Sequence, residues 1–162
     1  GYEVVTVSEL LAINAFCDCE NSDATALANA GYSVGYRNNT LHPERALTFG
    51  DLIAMAMPPE EVLSDYRKYV DSDFSADTEL SAIAKKYDAD EKSPYFISFI
   101  TAARLGLLER DNAKKLSASS RVTGETFSAL MHKLNSDYSF TITSGKLIRE
   151  DVFPHLAKAL LK

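Results

Sequence analysis

Laying this sequence over itself without a gap, so that Gly31 falls on Gly106, also superposes Ala28 on Ala103, Leu41 on Leu116, Thr48 on Thr123 and Ala54 on Ala129. Similar apolar residues fill the register between them: Leu47 meets Val122, Leu52 meets Phe127 and Met55 meets Leu130. The spacing from glycine to threonine is the same in both copies. The identities fall where a backbone is steered. Glycine adopts the left-handed conformation that ends a helix, and threonine offers the hydroxyl that starts one. Each copy therefore reads as a helix ending on glycine, a loop returning with a buried leucine, and a capped helix running into the core. Such a unit cannot bury its apolar face alone, so the copies must pack on one another.

Apolar residues recur at helical spacing in eight stretches: Val5 to Phe16, Ala24 to Ala30, Leu47 to Met57, Glu60 to Tyr69, Thr78 to Tyr87, Pro94 to Leu105, Val122 to Leu134 and Leu147 to Leu161. Thr6, Thr48 and Thr123 stand at N-cap positions, with Glu9, Asp51 and Thr126 three residues on; only the first is a full capping box. Pro58-Pro59 stops one helix, and Gly31 and Gly106 sit at C-terminal caps. The expected fold is all-α, a pseudo-repeat bundle of helix-loop-helix units around a central set of helices. No linker interrupts residues 1–162, so one domain is expected, with units at about 22–57 and 94–134 and partial units at 4–16 and 140–162.

The 17 basic and 23 acidic residues leave a net charge of −6, which gives a phosphate backbone no overall attraction, so nucleic acid is not an expected partner. No run approaches the roughly 20 apolar residues that cross a bilayer, and no leader is visible at Gly1. Cys17 and Cys19 lie two apart in a segment patterned as helix, where they would face apart. Two free thiols are the expectation, and packing must hold the domain together.

The repeated unit resembles the S-layer homology repeat. The first copy carries it best, with Gly31 and Gly35, the Leu41-His42-Pro43 anchor and the helix start Leu47-Thr48-Phe49-Gly50-Asp51. The second supplies Gly106, Leu116 and Val122-Thr123-Gly124-Glu125-Thr126. Two further helix starts look related, Val5-Thr6-Val7-Ser8-Glu9 and Leu147-Ile148-Arg149-Glu150-Asp151. The resemblance implies three lobes packed about a pseudo-threefold axis, with ligand in the grooves between them. It also implies a secreted module on the bacterial cell surface that holds wall polysaccharide, with an arginine at each helix start as a main contact. Only Arg149 occupies that place here; Val7, Phe49 and Gly124 stand in the other three. A protein-interaction or assembly module that keeps the fold and has lost glycan binding is the alternative. The third complete repeat is missing, and segments from the two ends of the chain are expected to complete the third lobe.

Arg149, Arg45 and Arg121 lie at or just before helix starts, where a guanidinium can present a planar fork to a carboxylate on a sugar. Tyr32 and Tyr36 beside Arg37, Asn38 and Asn39 form a polar-aromatic loop suited to sugar stacking or to packing. The carbohydrate-binding candidates are thus Arg149, Arg45, Arg121 and Tyr36. Asp71 to Asp77 opens like a calcium loop but has Ala76 for the turn glycine and Ala82 for the closing acid, so capping explains it and no metal or other cofactor is expected. No nucleophile–base set and no phosphate-cradling glycine loop is present, so a non-catalytic module is expected rather than an enzyme.

Overall fold

The computed structural model describes residues 16–36, 38–71, 78–138 and 145–161. The expected helix from Val5, its Thr6 cap, Val7, Arg37 and the acidic run 72–77 lie outside those residues. Among the described residues the chain is all helix and loop: α1 (Ser22–Asn29), α2 (Phe49–Ala56), α3 (Pro59–Asp71), α4 (Thr78–Lys86), α5 (Phe96–Arg104), α6 (Gly124–Leu134) and α7 (Arg149–Leu160).

The local start signals act as their chemistry requires. The Thr48 hydroxyl accepts from Asp51 N at 3.2 Å and the Thr123 hydroxyl from Thr126 N at 3.3 Å. Ile148 has no oxygen to offer, and there the Asp151 carboxylate accepts from Ile148 N at 2.9 Å. All three cap residues share one extended backbone shape, with φ/ψ of −96/160, −97/163 and −104/167. At the other end, Gly31 (φ 96) and Gly106 (φ 75) turn left-handed after α1 and α5. Tyr32 N then reaches back to Leu27 O at 3.0 Å and Leu107 N to Ala102 O at 2.9 Å, the same bond in each copy.

Three helix starts meet in a closed ring of backbone bonds. Leu47 N donates to Leu147 O (3.0 Å), Leu147 N to Val122 O (2.9 Å), and Val122 N back to Leu47 O (3.0 Å). Single antiparallel bridges flank each side, Ala46 with Ile148, Thr48 with Arg121 and Thr123 with Lys146. Two residues beyond each of these, Phe49 N, Gly124 N and Arg149 N donate to Ser120 O, Gly145 O and Arg45 O at 2.8, 3.2 and 2.9 Å. The ring neutralises six backbone groups that would otherwise be buried without partners.

Leu47, Leu52, Phe99, Phe127, Leu147 and Phe153 fill the core behind the ring with no exposure. Outer helices pack on helices that begin elsewhere in the chain: α1 lies on α7, α5 on α2, α3 and α4, and α6 against α7. Burying each large side chain contributes about 1.5–3 kcal/mol, so these interlocking contacts hold the ring closed.

The cysteine segment differs from its expected helix. Residues 16–21 are irregular because the Asp18 carboxylate accepts from Leu41 N and His42 N, both at 2.8 Å, which ties the segment along the loop before α2. Those two N–H groups also hold the Asp18 carboxyl below its ordinary pKa. Cys17 and Cys19 are both free thiols.

Candidate functional site

Arg149 opens α7, and its side chain is buried, with 2% of the residue exposed. Its Nε donates to Leu41 O at 2.9 Å and its Nη2 to Val34 O at 2.6 Å, 108 and 115 residues away in sequence. Its Nη1 lies 3.5 Å from Asp51 Oδ2. Asp51 is held on its other oxygen by the Tyr95 hydroxyl at 2.8 Å. Burial, and then that bond to a carboxylate, push the Tyr95 hydroxyl up to about 12, so it remains a donor at any ordinary pH. Tyr95 reaches Asp51 across Gly50, where a Cβ would stand 2.8 Å from its ring and 3.0 Å from Ala118 O.

Tyr36 covers this buried charge from outside. Its ring centroid is 4.6 Å from the Arg149 guanidinium carbon and 5.2 Å from that of Arg45, and the His42 ring meets it edge-on at 5.2 Å. The tyrosine is 36% exposed and Arg45 is exposed. The outward surface is therefore a flat ring with an exposed guanidinium over it, able to stack on an apolar face and to grip a carboxylate or hydroxyl. His42 and Asn39 keep the loop folded with φ of 47 and 60.

The four expected contacts thus separate. Arg149, Arg45 and Tyr36 come together, but Arg149 donates inward to protein carbonyls. Arg121 belongs to another part of the ring, paired with Thr48 and donating its Nη2 to Leu147 O at 3.2 Å. Tyr32 does not share the surface of Tyr36: it lines a groove with Pro58, Pro59, Leu105 and Leu160. Sequence reasoning missed Tyr95 and the second use of Asp51. No local pattern announces them, since they meet only when α2 and α5 pack.

Phe49, like Arg149, stands two residues past a ring residue, and it lies beside the second loop where Arg149 lies beside the first. Val34 O and Leu41 O, the two acceptors for Arg149, correspond in the repeat register to Glu109 O and Leu116 O. Phe49 can donate to neither. Instead the Tyr87 hydroxyl donates to Glu109 O at 3.1 Å and Asn112 Nδ2 to Leu116 O at 2.7 Å. Phe49 stacks on Tyr87 with centroids 5.7 Å apart and planes 24° apart. Burial raises the Tyr87 hydroxyl above its ordinary pKa, which keeps its donated proton in place. One buried cation in the first setting is replaced by two neutral donors and an aromatic pair in the second.

Comparison of the chain with protein-family models, with curated proteins and with solved structures finds no significant match.

Among the described residues no group of three or more His, Cys, Asp or Glu is placed to hold a metal ion. The turn at Asp88 to Lys92 is closed from within, with Asp90 Oδ1 accepting from Lys92 N at 3.0 Å. Among the same residues no helix is long and apolar enough to cross a membrane.

Proposed function

We propose that this chain is a non-catalytic attachment module of the bacterial cell surface that binds wall polysaccharide, as the resemblance to S-layer homology repeats implies. The observation that carries the reading is the half-open Tyr36 ring, with the buried Arg149 guanidinium 4.6 Å and the exposed Arg45 guanidinium 5.2 Å from its centroid. A sugar face stacks on the ring, and Arg45 offers its planar fork to a carboxylate or hydroxyl on the same sugar. Arg149 acts as a positioning residue, holding the 34–45 loop and the underside of Tyr36. Purified cell-wall sacculi that retain their secondary polymer should pull down the protein, and stripped sacculi should not. Tyr36→Ala and Arg45→Ala should each cut retention several-fold with the fold intact; undiminished retention by both variants would remove this surface from binding.

The protein-interaction or assembly reading draws on the inward commitment of Arg149 and on the groove of about 560 Å³ between Tyr32, Pro58, Pro59, Leu105 and Leu160. It predicts no retention by sacculi of either kind and a concentration-dependent mass by light scattering.

A further inference from the structure

A pocket of about 70 Å³ lies beside Phe49 in the second setting. Its walls are Phe49, Leu107, Leu108, Leu116 and Leu130, and Lys114 and Lys133 stand in its lining with exposed side chains. The polar groups around it are already committed. The Tyr87 hydroxyl donates to Glu109 O and accepts from Glu109 N (3.0 Å). Asn112 donates to Lys86 O (2.9 Å) and Leu116 O, and accepts from Leu116 N (3.0 Å). Among the described residues no buried side-chain nitrogen or oxygen lacks a partner. The buried polar groups therefore offer a guest no free donor or acceptor, which favours an apolar group among the leucines; the Thr126 hydroxyl, which accepts from Thr123 Oγ1 at 3.2 Å, also stands in the lining.

Lys114 and Lys133 are the two basic residues of the lining and both are exposed, against which Glu109 is the one acid. Size then decides between apolar groups. An apolar protein cavity that takes benzene measures roughly 150 Å³, about twice this volume, so the space suits three or four aliphatic carbons rather than a ring. We infer that the pocket between Phe49, Leu107 and Leu130 binds a short aliphatic carboxylate, its alkyl end inside and its carboxylate between Lys114 and Lys133. This site is separate from Tyr36 and goes beyond the polysaccharide reading.

Amide chemical shifts of the intact chain, titrated with isovalerate, provide the test. Isovalerate should move the amides of Leu107, Leu108 and Lys133 with saturation. Its uncharged counterpart isoamyl alcohol should bind roughly tenfold more weakly, as should isovalerate to the double variant Lys114→Ala/Lys133→Ala. Both lysines are exposed, so the variant should keep the fold. Ala129→Leu, at an exposed position in the lining, should abolish the shifts by filling the space, while Tyr36→Ala should leave them unchanged. Absence of saturable shifts, equal affinity for the alcohol, tighter binding of benzoate, or indifference to both variants would each overturn the assignment.

Discussion

Asn112 Nδ2 lies 2.7 Å from Leu116 O, the counterpart in the second copy of the Leu41 O that Arg149 Nε holds at 2.9 Å. The same backbone oxygen is thus satisfied in two places by unrelated side chains. The need belongs to the backbone, since each of the two loops turns a carbonyl inward and must find it a donor. Which residue supplies the donor is free to differ.

Arg149→Met should therefore destabilise the protein by about 3–5 kcal/mol, because it strands Val34 O and Leu41 O and leaves the Asp51 carboxylate, still held by Tyr95, without its cation. Urea unfolding measures it. A residue serving mainly as an outward ligand contact would instead lose binding with its unfolding midpoint unchanged.

Asn112→Ala removes bonds to three backbone groups and puts a residue less suited to positive φ at a position with φ 40. A cost of about 2–4 kcal/mol follows from leaving buried groups unpaired. Asn112→Ser, which keeps only part of the bonding, should fall between wild type and alanine in the same unfolding measurement.

The two helix-ending glycines should respond differently to alanine. A left-handed backbone costs either variant about 1–2 kcal/mol. A Cβ on Gly31 would also meet Pro59 Cγ at 3.1 Å and Cβ at 3.2 Å, whereas one on Gly106 meets nothing within 4 Å. Gly31→Ala should accordingly lower the thermal midpoint more than Gly106→Ala, and the reverse order would contradict the packing of α1 against the Pro58-Pro59 turn.

Stability should depend on His155. Burial first, and then the charge of Lys158, lower its pKa below the ordinary 6.5, while its ring packs on Phe127 at 6.0 Å and its Nδ1 lies 3.2 Å from the Tyr138 hydroxyl. A depressed folded value means that the unfolded chain binds the proton first. The contribution is therefore complete above about pH 6.5 and is lost as pH falls through the lower folded value. Wild type should lose more stability between pH 7 and 5 than His155→Gln does, as read by urea midpoints. The Asp18 carboxyl, also held low, adds its own loss only below its ordinary value of 3.8, outside that window.

The helix ends were legible from sequence because their causes are local. The Thr48 and Thr123 hydroxyls reach amides three residues away, and Gly31 and Gly106 need only their own torsional freedom. Periodicity likewise placed α1 to α7 within a few residues of their bounds. The irregular path of the Cys17–Cys19 segment was not legible, since Asp18 acts on the distant amides of Leu41 and His42.

The sequence by itself determined the helical character of the chain, the capped starts and the glycine stops, since each depends on neighbours within about one turn. Tertiary structure alone decided that Leu47, Val122 and Leu147 close a ring and that Tyr95 finds Asp51. It also turned Arg149, at a position the resemblance assigns to ligand, inward to the far-off carbonyls of Val34 and Leu41. A buried guanidinium seeks whatever acceptors the packed chain leaves unsatisfied. Where those acceptors lie is set by how distant segments pack, which short-range spacing does not encode.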